Sequence, residues 1–322
     1  MPPDDLPSSP LDSLGRIGVI GAGAAGAALA RMLATRGAEV VAVASRAPER
    51  AATLAAALPG AAAVTPERLV RACDLIFLAV PDDAIAPLAA ALPWRAGQGA
   101  IHLSGAKDAA ALGAVSAAGA HPAALHPLMT FARAPLDTPV VALLERVAGC
   151  TWALEADDAG LAAALARIVA VLDGRVVRLA AGDRVPYHIA AVLASNYVVA
   201  LIGAAVALWE GFGVGGDEAL RALLPLLRGA VENLSGVGLP DALSGPVARG
   251  DAGTIAAHLA WLDAYTTTQD GPPDLAALRD AYVALARLAL PLGQAKGTLD
   301  VATAERLARL LAAAPLPPAE TE

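Results

Sequence analysis

A glycine-rich turn between a predicted strand and a predicted helix constrains the fold of this chain more than any other feature. An apolar run over residues 17–20 leads into Gly21-Ala22-Gly23-Ala24-Ala25-Gly26, and a helical pattern follows at once. In such a turn the first glycine permits the bend, the second lets the backbone approach a pyrophosphate, and the third lets helix and strand pack closely. The helix N-terminus also offers unpaired N–H groups to phosphates. The segment predicts a dinucleotide site, although an Ala- and Gly-rich chain also produces this spacing by chance.

The end of the second predicted strand distinguishes between the two nicotinamide dinucleotides. Residues 39–45 (EVVAVAS) have the pattern of a buried parallel strand, which ends at Ser45 and Arg46, and Arg50 follows one helical turn later. A site that prefers NAD places Asp or Glu at this strand end, where it bonds the ribose 2′-hydroxyl. A hydroxyl and a guanidinium suit a 2′-phosphate instead. We therefore expect NADP(H); the alternative is that Arg46 and Arg50 are ordinary solvated residues.

Length and composition exclude several classes of protein. A chain of 322 residues suits two domains of ordinary size. The formal net charge of −8 argues against a nucleic-acid surface. Cys73 and Cys150 have neither CxxC nor metal-ligand spacing, and the absence of HExxH and paired CxxC patterns predicts that no metal is bound. The two cysteines are typical of small apolar residues in a reducing cytoplasm.

Alternating strand and helix patterns predict a doubly wound parallel sheet, and hence an α/β fold, for the first half of the chain. Residues 1–14 are rich in Pro, Asp and Ser and are expected to form a flexible tail without signal-peptide features. Residues 15–180 form the predicted Rossmann domain, and residues 181–322, in which only helical patterns occur, form an all-α domain. Ligands bind at the carboxyl ends of parallel strands, so Val80, Pro81 and Ser104 are expected near the nicotinamide.

One segment has the length of a membrane span. Residues 189–208 carry no charge for twenty positions, but they include Ser195, Asn196 and Tyr197 and owe much of their apolarity to alanine. A central helix buried between domains or subunits explains the segment better. We expect a cytoplasmic protein that does not contact a membrane.

Three further segments resemble one family. They are His126-Pro-Leu-Met-Thr-Phe131, residues 187–196 (YHIAAVLASN) and residues 243–251 (LSGPVARGD), to which Leu103-Ser104-Gly105 is added. On these segments the chain is identified as a member of the Rossmann-like plus DUF2520 family of oxidoreductases. That family is similar to 6-phosphogluconate dehydrogenase and F420-dependent NADP reductase. The resemblance implies a Rossmann domain followed by an all-helical domain, a nucleotide site, and a homodimer formed through the helices. It does not supply a substrate.

His188, Ser195 and Asn196 form a candidate catalytic face. His188 opens the long apolar helix and the other two follow seven and eight residues later, which places all three on one face of a continuous helix. Polar groups on an apolar helix are costly to bury unless they are satisfied or used. Histidine is the usual proton donor near neutral pH, and the asparagine could orient a substrate oxygen. Alternatively, His188 caps the helix and Asn196 bonds a neighbouring backbone group.

The chain also resembles the hydroxyacid dehydrogenases, but this resemblance fails at one position. Their interdomain helix carries a lysine proton donor followed by an asparagine one turn later. Aligning Asn196 with that asparagine places Val192 where the lysine should be. Either His188 has taken over the role of the acid, or no such chemistry occurs.

Two other histidines have weaker signals. His126 precedes a proline, so its backbone should be extended, and we expect it in a loop after the Rossmann core. A His-Pro pair lines the substrate region of the similar prephenate dehydrogenases, which makes His126 a second candidate acid; otherwise it bonds its own loop. His102 lies on a strand that should be buried, and a structural role is the expectation.

The segment from Ser244 to Asp251 predicts an anion site in the helical domain. Its glycines and proline indicate a fixed loop, and a helix begins near Asp251. A guanidinium at Arg249 beside a helix start would bind a carboxylate or phosphate of the substrate, with Asp251 nearby. Alternatively, Arg249 and Asp251 pair and only brace the loop.

Two functions from different classes remain open. The first is an NADP(H)-dependent oxidoreductase that exchanges hydride with a carbonyl or imine carbon of a small acidic molecule, in which F420 is a further candidate co-substrate. The second is a sensor or partner protein that binds NADP(H) without turnover.

Overall fold

The computed structural model describes residues 11, 14–131, 136, 138–180, 182–266 and 277–312. The chain divides into two compact units, Met1–Ser195 and Asn196–Glu322. The sequence placed this boundary near Ala180. The division falls later because the helix after Ala180 is bonded to the first unit through Arg184 and Tyr187.

The described residues of the first unit form an eight-stranded sheet. The strands are β1 (Ile17–Ile20), β2 (Val40–Ala44), β3 (Ala62–Ala63), β4 (Leu75–Leu78), β5 (Gly99–His102), β6 (His121–Pro127), β7 (Thr151–Ala156) and β8 (Arg175–Arg178). Their order is β3-β2-β1-β4-β5-β6-β7-β8, and only the β6–β7 pair is antiparallel. This order confirms the prediction of a doubly wound sheet.

Helices cover both faces of this sheet. They are α1 (Ala24–Thr35), α2 (Pro48–Ala56), α3 (Pro66–Ala72), α4 (Asp82–Ala91), a 3-10 helix (Ala109–Leu112), α5 (Gly113–Ala117), α6 (Val140–Val147), α7 (Ala159–Val171) and α8 (Arg184–Ala194). Leu75 and Phe77 of β4 enter a hydrophobic cluster with α1, α6 and α7, whereas Ile76 and Leu78 enter another with α3 and α4. Because both faces are buried, β4 has a continuous apolar sequence rather than an alternating one.

The structure of the first unit differs from two expectations drawn from the sequence. His126 was expected in a loop, but it lies on β6, where Ala123 and Leu125 are fully buried. The extended backbone expected for a residue before a proline is present, but it belongs to a strand that contains both Pro122 and Pro127. The predicted flexible tail lies mostly outside the described residues, yet Leu11 and Leu14 are buried in the core.

The described part of the second unit is all-helical, as predicted. Its helices are α9 (Asn196–Glu210), α10 (Gly216–Val237), α11 (Gly245–Ala248), α12 (Ala252–Thr266), α13 (Leu278–Ala295) and α14 (Val301–Ala312). Its core lies among α12, α13 and α14, where Ile255 and Leu307 are fully buried. By contrast, Ala219 is the only buried residue that α9 and α10 contribute among the described residues.

The long apolar helix predicted to open at His188 is interrupted. Ser195 has φ −129° and ψ −71°, so α8 ends before it and α9 begins after it. The Ser195 hydroxyl donates to the carbonyl oxygen of Ala191 at 2.7 Å, a bond that bends helices. Residues 184–210 together are long and apolar enough to cross a membrane by length and composition alone, which is weak support for a span. No residue of their most apolar window is buried within this chain.

Candidate functional site

The turn between β1 and α1 has the geometry of a phosphate-binding loop. Gly21 has φ 115°, and a Cβ there would lie 2.1 Å from the carbonyl oxygen of Ala79. A Cβ on Gly26 would lie 1.9 Å from the carbonyl oxygen of Gly21. Both glycines are therefore required by contacts inside the protein. At Gly23 a Cβ would meet nothing within 4 Å, so the internal contacts give no reason for a glycine there.

The start of α1 fits an anion. Gly23 is the N-cap of α1, makes no side-chain cap hydrogen bond, and has φ −81°, which any residue adopts. No acidic residue occupies the first turn. The backbone N–H groups of this turn and the helix dipole therefore remain available to a negatively charged ligand, and a bare Cα at Gly23 lets it approach. Gly21, Ala22, Gly23, Ala24, Ala25 and Gly26 thus fit a dinucleotide diphosphate.

The end of β2 fits a second phosphate. The backbone N–H of Ala47 donates to the Ser45 hydroxyl at 3.3 Å, which fixes the bend after the strand. Arg46 is exposed and follows directly, and Arg50 is exposed in the first turn of α2. Within the described residues neither guanidinium forms an ion pair, so both are free to bind a phosphate. Val80 and Pro81 follow β4, which is separated from β2 by β1, and Pro81 is the N-cap of α4.

The loop after β5 is held rigid by hydrogen bonds. The Ser104 N–H donates to Nδ1 of His102 at 3.2 Å, so Nδ1 is unprotonated and Nε2–H donates to the carbonyl oxygen of Asp108 at 2.8 Å. Burial lowers the pKa of His102 below its ordinary value, which keeps this ring neutral. The Ser104 hydroxyl accepts from the backbone N–H groups of Ala106 and Lys107. His102 and Ser104 therefore brace the loop; contact of Ser104 with a cofactor stays a prediction.

Gly105 lies where two histidines converge. A Cβ on this buried glycine would lie 2.7 Å from Nδ1 of His188 and 2.9 Å from Nε2 of His126. The two rings meet edge to face, with centroids 6.4 Å apart. The Nδ1 atom of His188 is buried and has no hydrogen-bond partner among the described residues. Two imidazole nitrogens thus approach the backbone at the carboxyl end of β5, the edge at which ligands bind to such sheets.

His126 is bonded on its other nitrogen. Its Nδ1 lies 2.7 Å from the hydroxyl of Tyr187, and the two rings are nearly perpendicular. Burial, with smaller contributions from Arg184 and His188, lowers the pKa of His126 to about 4. Burial also raises the pKa of Tyr187 to about 12. At neutral pH the pair therefore consists of a neutral imidazole and a neutral phenol.

A buried ion pair supports this arrangement. Nη2 of Arg184 lies 3.2 Å from Oε2 of Glu155, with the two side chains 4% and 20% exposed. Glu155 Oε1 accepts from the backbone N–H of Ala109, and Arg184 Nη1 lies 3.4 Å from the carbonyl oxygen of Ser104. The pair links β7, the loop after β5 and the start of α8, which carries His188.

The prediction that His188, Ser195 and Asn196 share one face assumed a continuous helix. Because the helix breaks at Ser195, the spacing of a continuous helix does not apply. The Ser195 hydroxyl bonds within its own helix, and Asn196 begins α9 in the other unit. Their roles in orienting a substrate stay predictions.

The predicted anion site in the second unit has a partly structural explanation. The Asp251 carboxylate accepts from both the N–H and the hydroxyl of Thr254, at 3.0 and 2.7 Å, and so caps the start of α12. These bonds, with smaller help from Arg249, lower the pKa of Asp251. Arg249 is exposed and forms no ion pair with Asp251. Lys296 instead braces the preceding loop by donating to the carbonyl oxygens of Asp241 and Leu243.

Sequence reasoning missed Tyr187, Arg184 and Glu155. Tyr187 stood inside a segment that carried the family resemblance, and a tyrosine next to a histidine at a helix start was the available signal. The sequence did not indicate the ion pair between Arg184 and Glu155, because the two residues lie 29 positions apart. Among the described residues no group of three or more His, Cys, Asp or Glu side chains could hold a metal ion.

Two family profiles match the chain. Residues 16–105 match the family described as NADP oxidoreductase, coenzyme F420-dependent, and residues 150–289 match the domain of unknown function DUF2520. Both matches confirm the resemblance drawn from the sequence, and the first confirms NADP as the cofactor of the family. No curated protein sequence matches the chain.

Solved structures share the fold at low identity. A Bacteroides fragilis protein assigned to the NADP oxidoreductases is 24% identical, with a TM-score of 0.66 over 86% of this chain and 98% of its own. A Plasmodium falciparum pyrroline carboxylate reductase with bound NADP is 13% identical, with a TM-score of 0.56 over 92% and 98% of the two chains. An Aspergillus terreus reductive aminase in complex with NADPH is 19% identical, with a TM-score of 0.55 over 92% of each chain. These likenesses confirm the Rossmann-plus-helical fold.

Proposed function

We propose that this chain, which joins an NADP oxidoreductase domain to a DUF2520 domain, is an NADP(H)-dependent reductase of a small carbonyl or imine compound. One observation carries the proposal: Nδ1 of His188 and Nε2 of His126 converge on Gly105, at the same sheet edge as the glycine-rich turn. A protein that only bound the dinucleotide would not need two imidazoles at that edge.

The residues present fit the cofactor. The start of α1 would hold the diphosphate through its backbone N–H groups, and Ser45 and Arg46 would hold the 2′-phosphate. Val80, Pro81 and Ser104, at the ends of neighbouring strands, would border the nicotinamide. NADPH, when bound, supplies a hydride.

The chain's own residues would manage the proton that accompanies the hydride. His126 and His188 are the candidate donors because their nitrogens face one point. Ser195 and Asn196 would orient the reacting group, and Arg249 would bind the acidic end of the substrate. The names of the reductive aminase and the pyrroline carboxylate reductase make an imine carbon the first acceptor to test, beside a carbonyl.

Nicotinamide fluorescence titrations test the cofactor. We expect NADPH to bind more tightly than NADH, and Arg46→Ala to weaken NADPH binding about tenfold or more, because a charge-assisted contact is lost. NADH, which lacks the 2′-phosphate, should bind Arg46→Ala and the unchanged protein alike. Arg71→Ala, a change of an exposed arginine on α3, is the matched control. If neither nucleotide binds, the proposal is wrong.

A screen of keto and imino acids with NADPH then tests turnover. His188→Ala should abolish turnover and spare NADPH binding in an enzyme. If the protein is instead a sensor, which the valine at position 192 favours, no compound will be reduced although NADPH binds. The family profile also favours F420 as a co-substrate, and failure of F420 to exchange hydride with NADP would remove that alternative.

Exposed apolar side chains on α9 and α10 support a homodimer. Val199 is 73% exposed on α9, and Leu226, Val231 and Val237 are 74%, 54% and 61% exposed on α10. Apolar patches of this kind mark interaction surfaces. We infer that a second copy of the chain covers them, in the cytoplasm, and that neither a membrane nor a nucleic acid is a partner.

A further inference from the structure

We propose that Tyr187 and His126 form a proton relay, in which His126 delivers a proton from Nε2 while the Tyr187 hydroxyl restores one to Nδ1. The inference rests on the proposed reductase function and assigns to Tyr187 the role of a positioning residue that acts through His126. In this relay the imidazole exchanges one neutral tautomer for the other and never becomes a cation.

The geometry places the two nitrogens of His126 at opposite ends of the proposed relay. The Tyr187 hydroxyl lies 2.7 Å from Nδ1 of His126, which is a full hydrogen bond. The opposite nitrogen, Nε2, is the one that faces Gly105 and the sheet edge. Tyr187 and His126 are both half-buried, and we assign the solvent end of the relay to the Tyr187 hydroxyl because Nε2 is the nitrogen that faces Gly105. In the proposed relay, Tyr187 and His126 together connect solvent to the candidate site.

The surroundings disfavour a charged His126. The titratable groups that face it are Arg184 and His188 on α8, His102 on β5 and Asp82 at the start of α4. Only Asp82 favours the imidazolium, and burial, Arg184 and the two histidines oppose it; the resulting pKa of about 4 leaves His126 uncharged at neutral pH. An ordinary imidazolium acid is thus unsuited to this position, whereas a tautomer exchange needs no net charge on the ring.

The proton balance closes with water as the source. As the substrate carbon gains hydride, the Nε2–H bond breaks and its proton passes to the substrate oxygen or nitrogen. The O–H bond of Tyr187 breaks and a new Nδ1–H bond forms. Water then returns a proton to the phenolate, whose raised pKa makes this return favourable. After the product leaves, Nε2 takes a proton from water while the Nδ1 proton leaves through the Tyr187 hydroxyl to water, which restores the Nε2–H tautomer. One hydride from NADPH and one proton from solvent are consumed per turnover.

His188 has a different place in this scheme. Its Nδ1 is buried and has no partner among the described residues, so it has no comparable link to solvent. It is suited to hold the substrate's oxygen or nitrogen while His126 supplies the proton.

The tautomer of His126 can be measured without a substrate. We would label the five histidines with ¹⁵N and record long-range ¹H–¹⁵N spectra from pH 8 to 5.5, assigning His126 by its loss in His126→Asn. We expect the Nε2–H tautomer throughout this range. Tyr187→Phe keeps the ring but removes the hydroxyl, and it should abolish the exclusive Nε2–H signature.

A second histidine–tyrosine pair provides the matched control. Nδ1 of His258 lies 2.9 Å from the Tyr282 hydroxyl in the second unit. Tyr282→Phe should change the signal of His258 and leave that of His126 untouched. A protonated Nδ1 in the unchanged protein, an imidazolium above pH 6, or an unaltered tautomer in Tyr187→Phe would overturn the relay. The first two outcomes need no variant, so the test stands even if Tyr187→Phe does not fold.

Kinetics separates failure of the relay from failure of the proposed function. With a keto or imino acid that the screen shows to be reduced, Tyr187→Phe should lower kcat about tenfold or more, with KM and NADPH affinity unchanged. It should also change the solvent isotope effect on kcat. An unchanged kcat in an active enzyme would contradict the relay alone, whereas no turnover by the unchanged protein would contradict the reductase proposal.

Discussion

The guanidinium of Arg184 lies 3.2 Å from the carboxylate of Glu155, and both side chains are largely buried. This pair joins the start of α8 to β7, and through Ala109 and Ser104 it also holds the loop that carries Gly105. The position of His188, one turn along α8, therefore depends on an ion pair that takes no part in hydrogen bonding to either imidazole.

Glu155→Gln should destabilise the protein by about 3 kcal/mol, because it leaves the buried Arg184 charge without its counter-ion. Urea unfolding followed by fluorescence measures the change. Asp173→Asn is the matched acid-to-amide control, since Asp173, whose side chain is 66% exposed, pairs with Arg36, whose side chain is 37% exposed. That change should cost less than about 1 kcal/mol. An equal loss of unfolding free energy in the two variants would contradict the role given to Glu155.

Two glycines of the same turn should respond in opposite ways to alanine. Gly23→Ala adds a Cβ in open space, so we expect near-normal stability and much weaker NADPH binding. Gly26→Ala places its Cβ against the carbonyl oxygen of Gly21 and should destabilise the fold by about 3 kcal/mol. Thermal unfolding and nicotinamide fluorescence, measured on both variants, separate the effects. Loss of stability in Gly23→Ala would show that a contact inside the protein, and not a ligand, requires that glycine.

Gly105→Ala should abolish turnover and preserve NADPH binding. Its Cβ would displace the nitrogens of His188 and His126, which lie 2.7 and 2.9 Å from that position. Gly113→Ala, where a Cβ meets nothing within 4 Å, is the control and should be fully active. Steady-state rates on a reduced keto or imino acid provide the measurement. Normal activity of Gly105→Ala would show that the place near Gly105 where the two histidine nitrogens converge is not the site of the reaction.

Mild acid should destabilise the first unit through His126. The folded pKa of about 4 lies below the ordinary 6.5, so the unfolded chain binds more protons between these values and stability falls as pH decreases through them. From pH 7 to 5 the loss assigned to His126 is about 2 kcal/mol, and the lowered pKa of His102 acts in the same direction. Urea unfolding at pH 7, 6 and 5 measures how the free energy of unfolding changes with pH, and this change should be smaller in His126→Asn. The same pH dependence in the variant and the unchanged protein would mean that His126 has the same pKa in the folded and unfolded states.

A charge on α10 should separate the proposed homodimer. Leu226→Asp alters a side chain that is 74% exposed in the single chain, so the monomer should fold normally. Light scattering after size exclusion should then report a dimer for the unchanged protein and a monomer for the variant, because an unpaired carboxylate would be buried at the interface. Val141→Asp, which alters a 60% exposed residue on α6, should remain dimeric. A monomeric unchanged protein would contradict the proposal.

Much of the first unit was predictable because its signals are local. The turn at Gly21 to Gly26 was predicted from the spacing of its glycines between a strand and a helix, although the contact that requires Gly21 comes from the distant Ala79. The strands β1, β2, β4 and β5 were predicted from apolar runs, since a strand covered on both faces needs apolar residues throughout. The strand β6 was missed because His126 was placed in a loop after the Rossmann core, and its prolines interrupt the apolar run that identified the other strands.

The sequence alone determined the Rossmann architecture, the position of the dinucleotide turn and the helical character of the second unit, because each follows from short-range periodicity and backbone geometry. Only the tertiary structure decided that His126 meets Tyr187, 61 positions away, and that both histidines face Gly105. The break at Ser195 and the pairing of Arg184 with Glu155 were decided there as well. Contacts between distant side chains depend on strand order and on how helices pack over the sheet, and neither quantity is encoded in the spacing of residues along a single segment.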